Sequence, residues 1–212
     1  MSGPTDNLDT ISEQVRQNLA AKDQAREKML PKCRETIRCC SEAIRAIHRQ
    51  EFEKAGTLLE SAHNLLRESD EALAGSPELI NTGSLRDAQK EYVEGCAVLN
   101  MVTGKPLPTP EGLGVESAAY LNGLAEAASE LRRYLLDSMR KGDISKGEEL
   151  LTAMDDIYSV LVTIDFPDAI TGGLRRTTDM LRGVLERTRS DLTLMITQQD
   201  LGQRIDKLEK RL

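Results

Sequence analysis

Tryptophan is absent from this 212-residue chain, and phenylalanine and tyrosine number only 2 and 4. Six aromatic rings are too few for the sheet-borne base-stacking platforms of the common RNA-binding modules. No stretch approaches the ~18 uninterrupted apolar residues of a membrane span. The segment Met1 to Asp9 is polar and lacks the apolar core of a secretion signal, so a cytoplasmic location and no membrane partner are expected. Histidine is limited to His48 and His63, and the cysteines Cys33, Cys39, Cys40 and Cys96 include no CxxC pair. A zinc site is therefore not expected. Vicinal Cys39 and Cys40 are poorly placed to bridge each other, so four reduced thiols in helices are expected. GxGxxG, P-loop, GxSxG and HExxH motifs are all missing, which removes nucleotide, acyl-transfer and zinc-protease chemistry in their usual forms. Acids outnumber bases 35 to 28, for a net charge of −7, so any nucleic-acid contact must come from a local basic patch.

What the chain does have is helix-forming residues at helical spacing. The pattern predicts helices from Asn7 to His48, Phe52 to Leu73, Glu78 to Val102, Val115 to Arg140, a fifth to Ile164, Leu174 to Thr197, and a short charged one from Gln199 to Arg211. Pro31 should kink the first. Ser76 is an apt N-cap with Pro77 at the first helical position, and the third helix is a candidate for a break near Asn81-Thr82-Gly83. Ser145 and Glu148 have capping-box spacing for the fifth helix. Pro106, Pro108 and Pro110 mark a stiff loop. The expected architecture is all-α: one elongated bundle of about seven helices filling 1–212, with 1–6 unstructured. Phe52 to Leu59 echoes Ile144 to Leu151, but two unlike copies do not make a solenoid.

Three features could carry chemistry. Glu91 and Glu94 are three apart, and Glu126 and Glu130 four apart, so each pair shares a helix face bordering an apolar stripe. Gly123 lies one turn before Glu126 on that face, where a small residue lets a second helix or a ligand approach. If the two helices pack together, the carboxylates converge, and like charges that close stay ionised only around a cation. Oxygen ligands suit Mg²⁺ or Mn²⁺. The same spacings also describe ordinary solvated faces. Second, Arg34, Arg38, Arg45 and Arg49 line one face of the first helix, with Arg16, Lys22, Arg26, Lys28 and Lys32 upstream. Such a row can fork onto phosphates, or it can be an exposed face paired with the interleaved Asp23, Glu35 and Glu42. Third, Gly172-Gly173-Leu174-Arg175-Arg176 reads as a turn with a solvated basic end, or as an anion-holding helix start.

At these residues the sequence resembles the translin family, and within it the Trax branch. The carrying stretches are Gln89 to Glu94, Tyr120 to Glu126 and on through Glu130 to Arg133, Gly142-Asp143-Ile144, and Phe166 to Arg176. The resemblance implies an all-α subunit that assembles into a barrel-like homo-octamer and binds single-stranded RNA and single-stranded DNA. It also implies a Mg²⁺-dependent endoribonuclease centre on clustered acids, with Glu91, Glu94, Glu126 and Glu130 as catalytic and metal-ligating residues. The third acid is an aspartate in animal Trax, so Glu126 departs from that pattern by one methylene. Basic contacts on the family's N-terminal helix correspond to Arg34, Arg38, Arg45 and Arg49. A metal-dependent endoribonuclease for single-stranded or unpaired RNA, a non-catalytic translin-like binder and a helical scaffold without a nucleic-acid role are the readings open at this point.

Overall fold

The computed structural model describes residues 3, 5–76, 79 and 83–211. The expected cap at Ser76 with Pro77, the break near Asn81-Thr82, and residues 1, 2 and 4 of the expected unstructured segment involve positions outside these. Among the described residues there are eight helices and no strand: α1 (Leu8–His48), α2 (Phe52–Leu73), α3 (Gly83–Thr103), α4 (Pro110–Leu113), α5 (Ser117–Arg140), α6 (Gly147–Leu161), α7 (Asp168–Thr171) and α8 (Leu174–Glu209). None of the described helices is long and apolar enough to cross a membrane.

α1 passes through Pro31 without interruption. Proline removes one N–H from the interior of the ladder, and the packing of neighbouring residues offsets that loss. Met29, Cys33, Cys40, Ala43 and Ile47 are buried at three-, four- and seven-residue spacing. They pack α1 against α2 and α3. The chain reverses at Gln50, a non-glycine residue in the left-handed region at φ 62°. The Gln50 amide donates to the Ile47 carbonyl at 2.8 Å, and the Glu51 amide to that of Ala46 at 2.9 Å. α3 then packs on α5, and α5 on α6 and α8. The α3–α5 seam is therefore the middle of the molecule, lined by Val93, Ala97, Ala125, Ala128 and Leu131, all fully buried.

Three local expectations change. The fifth helix starts at Gly147, with Lys146 at its N-cap and no side-chain cap bond, so the Ser145–Glu148 box does not form. Instead the Asp143 carboxylate accepts the Ser145 amide at 2.9 Å, turning the chain before the helix begins. The two helices expected after Leu174 are one helix of 36 residues. The polar Gln198-Gln199-Asp200 stretch contains no proline, and polarity alone does not break a helix. The proline loop is followed by an unexpected single turn, α4, in which the Thr109 hydroxyl accepts the Gly112 amide. Ile11, Val15 and Leu19, at the start of α1, are exposed.

Candidate metal centre and nucleic-acid interface

Glu91 and Glu94 project from α3 and Glu126 from α5. One carboxylate oxygen from each lies within 4.8 Å of the others. Gly123 makes this convergence possible. A Cβ added there would sit 2.7 Å from both the Lys90 carbonyl oxygen and Val93 Cβ. The helices therefore touch backbone to backbone at Gly123, as the sequence suggested, and one turn later Glu126 faces the α3 acids. Behind the acids, Tyr92 is buried with its hydroxyl 3.3 Å from His63 Nδ1 on α2. Asn122, buried beside Gly123, donates to the Ala118 and Thr171 carbonyls and accepts from the Thr177 hydroxyl at 2.9 Å. These bonds lock α5 to α7 and α8.

The electrostatics follow from burial and crowding. Burial first, then the carboxylates of Glu91, Glu126 and Glu130, push the Glu94 carboxyl up to about 8, against a small downward pull from Lys90. Burial and Glu126 likewise raise Glu91. Lys90 Nζ donates to Glu126 Oε1 at 2.8 Å. Burial works against the Lys90 charge, but Glu126, with Glu91 and Asp87, more than offsets it and holds the ammonium above its ordinary value. The floor is inert: burial raises the Cys40 thiol strongly and the Cys96 thiol to about 11, and all four cysteines are free thiols in helices.

Glu130 does not join the close trio. His48 Nε2 lies 2.5 Å from Glu130 Oε1, and Arg133 pairs with the same oxygen at 3.3 Å. The His48 side chain is only 8% exposed, and its Nδ1, 3.4 Å from Asp137 Oδ2, makes no hydrogen bond among the described residues. Glu130 therefore reaches Glu94 through its charge, while its oxygen is held by α1. Sequence reasoning missed Lys90 and His48 as partners of these acids. Lys90 carried a signal, since it stands four residues before Glu94 on the same helix face. His48 carried none, being 82 residues from Glu130.

The donor set suits a hard divalent cation: three oxygens from two rigid helices, one on a carboxyl that burial keeps protonated near neutrality unless a positive charge compensates it. On α1 and at its C-cap, Arg34, Arg38, Arg45 and Arg49 are all exposed. At about 100° per residue they fall within an arc of about 60°, on the side of α1 away from the buried Cys33, Cys40 and Ile47. Arg38 pairs with Glu35, and Arg45 Nε donates to the Ser41 carbonyl at 3.1 Å. Arg34 and Arg49 make no ion pair among the described residues. Gly172 and Gly173 are both left-handed, at φ 65° and 88°, and Arg175 pairs with Asp165 at 2.9 Å, so that segment is a turn with an ion-paired basic end.

This long-helix architecture, with its central α3–α5 seam, is the C3PO type. Two C3PO structures from Archaeoglobus, one of them a complex with duplex RNA, match with TM-scores of 0.81 and 0.78 and sequence identities of 37% and 36%; each match covers 87% of this chain and 96% of the other. An apo C3PO structure from Neurospora matches with a TM-score of 0.75 over 92% of this chain and 99% of the other; its 21% identity speaks to the fold alone. An uncharacterized protein of Methanocaldococcus jannaschii is 30% identical over 197 residues, 90% of this chain and 85% of that protein. No family model matches. The chain belongs to the translin family.

Proposed function

We propose that the protein is a metal-dependent endoribonuclease acting on single-stranded or unpaired RNA, with Glu91, Glu94 and Glu126 holding Mg²⁺ or Mn²⁺ and Glu130 standing behind them. The observation that carries this reading is the convergence of the three carboxylate oxygens within 4.8 Å on two helices brought together at Gly123. A divalent ion bound there supplies Lewis acidity toward a phosphodiester oxygen and eases deprotonation of water. The protein's own groups supply the rest. Glu94, held up to about 8 without an ion, must release its proton for the ion to bind, and a carboxylate left free of the ion can assist as a base. Burial and Glu126 raise Glu91 as well, against the downward pull of Lys90. Arg34, Arg38, Arg45 and Arg49 offer phosphate contacts that position a strand without reading its sequence, and single-stranded DNA fits them equally.

In this reading the active form is a cytoplasmic homo-octamer of barrel shape. The apolar side chains of α1 (Leu8, Ile11, Val15, Leu19) and α8 (Leu194, Leu201, Ile205, Leu208) support assembly, since they stand exposed. The rival reading, a non-catalytic single-strand binder, draws on the Lys90–Glu126 ion pair, which already compensates one of the acids.

End-labelled single-stranded RNA incubated with the purified protein, with Mg²⁺, Mn²⁺ or chelator, separates the two. Metal-dependent cutting that Glu126→Gln loses, with folding and RNA retention intact, is the expected result. Wild-type cutting by Glu126→Gln refutes the acid-centre mechanism, and retention without cutting under every metal selects the binder.

A further inference from the structure

The four acids of the α3–α5 seam are not equivalent. Glu130 is held by His48 and Arg133. Glu126 is held by Lys90 at 2.8 Å. Glu91 and Glu94 alone have no ion pair among the described residues. Four carboxylates at one seam would suit two divalent ions, but Lys90 supplies a positive charge inside the cluster. What remains uncompensated is the charge of two carboxylates, which matches one divalent ion.

The position of Lys90 is set by the backbone. Its carbonyl lies at the closest approach of α3 and α5, where a Cβ on residue 123 would be 2.7 Å away. Its arm starts at the helix crossing and meets Glu126 one turn beyond. The Lys90 and Glu126 side chains are 25% and 33% exposed, so the pair is sheltered from much of the screening that weakens surface ion pairs.

We propose that Lys90 is a resident cation of the centre: it positions Glu126 and stands where a second divalent ion would otherwise bind, so that the centre takes one ion and holds it less tightly than three free carboxylates would. This rests on the metal-centre reading above. Lys90 acts through Glu126, so it is a positioning residue. Its ammonium repels an incoming divalent ion while keeping one Glu126 oxygen occupied. Removing the charge should open the cluster, and replacing it with another cation should not.

The test is Mn²⁺ binding by the full-length protein in solution, read as free Mn²⁺ by electron paramagnetic resonance, for wild type, Lys90→Met, Lys90→Arg and Glu94→Gln. Helicity and melting are recorded alongside to show that each variant is folded. Wild type is expected to bind one Mn²⁺ per chain and Glu94→Gln to lose it. Lys90→Met, uncharged and of similar length, should bind the first Mn²⁺ at least tenfold more tightly, about 1.4 kcal/mol, or admit a second; either change supports the proposal. Lys90→Arg should keep the wild-type number and affinity. If Lys90→Met binds Mn²⁺ as wild type does, or more weakly, while Glu94→Gln still loses it, the role of Lys90 is overturned and the metal centre stands. If neither wild type nor Lys90→Met binds Mn²⁺, both readings are overturned. A purely structural role for Lys90 would not tighten metal binding.

Discussion

Glu94 offers the sharpest quantitative test of the α3–α5 centre. Its carboxyl is lifted from the ordinary 4.5 to about 8, a rise of about 3.5. At about 1.36 kcal/mol per pH unit, that rise sets an upper bound of roughly 5 kcal/mol on the linked free energy. Partial solvent access and local relaxation cut this to roughly 2–3 kcal/mol. The folded protein retains a proton that the unfolded chain gives up from pH 4.5 upward. The stabilisation this supplies is full below pH 4.5 and is lost as pH rises through about 8. Glu94→Gln keeps the shape of the side chain and cannot ionise. Without metal, the variant should melt with wild type near pH 5 and above it at pH 9, by about 5–10 °C for a chain of this size. Circular dichroism melts in chelator across that pH range give the comparison. Wild-type and Glu94→Gln curves that stay parallel from pH 5 to 9 would refute the argument, because they would mean that Glu94 ionises in the folded protein as easily as in the unfolded chain.

Gly123→Ala should destabilise the protein by about 1–3 kcal/mol in denaturant unfolding, because its Cβ would meet backbone as well as Val93; by prising α3 from α5 it should also weaken Mn²⁺ binding, and an unchanged affinity would dissociate the acid cluster from the helix crossing. Arg38→Glu with Arg45→Glu should lower single-stranded RNA affinity at least tenfold and flatten its salt dependence, with helicity unchanged, because both side chains are exposed. Equal affinity, measured by fluorescence anisotropy over a salt series, would make the row a solvated face.

Much of the molecule was legible because the signals were local. α2 runs from Phe52 to Leu73 as its helical spacing predicted, and α5 ends at Arg140 before Lys141-Gly142. The acid pairs were visible as same-face spacings, and Gly123 as a place for close approach. The α8 continuation was not, because a polar stretch without proline leaves the helix ladder intact. The Ser145 box failed because Asp143, two residues earlier, captured the Ser145 amide first. The pairing of Glu130 with His48 depends on how α1 lies across α5, and no spacing along the chain encodes that. The three-acid centre thus became readable only in space, although each acid was readable in sequence.

α1 is 41 residues long, about 61 Å at 1.5 Å per residue, yet its buried side chains begin at Met29. Most of its first half is exposed, and among the described residues Ala25 is the first apolar side chain of α1 packed against the core. Helices in proteins draw most of their stability from packing an apolar face, and keeping each residue ordered costs about 1–2 kcal/mol of backbone entropy. In the proposed assembly a neighbouring copy would cover the arm's exposed Ile11, Val15 and Leu19 and steady its helix. If that assembly forms, dilution should cost ellipticity from this arm while the packed half keeps its own, so that protein concentration becomes a dial on the secondary structure of α1.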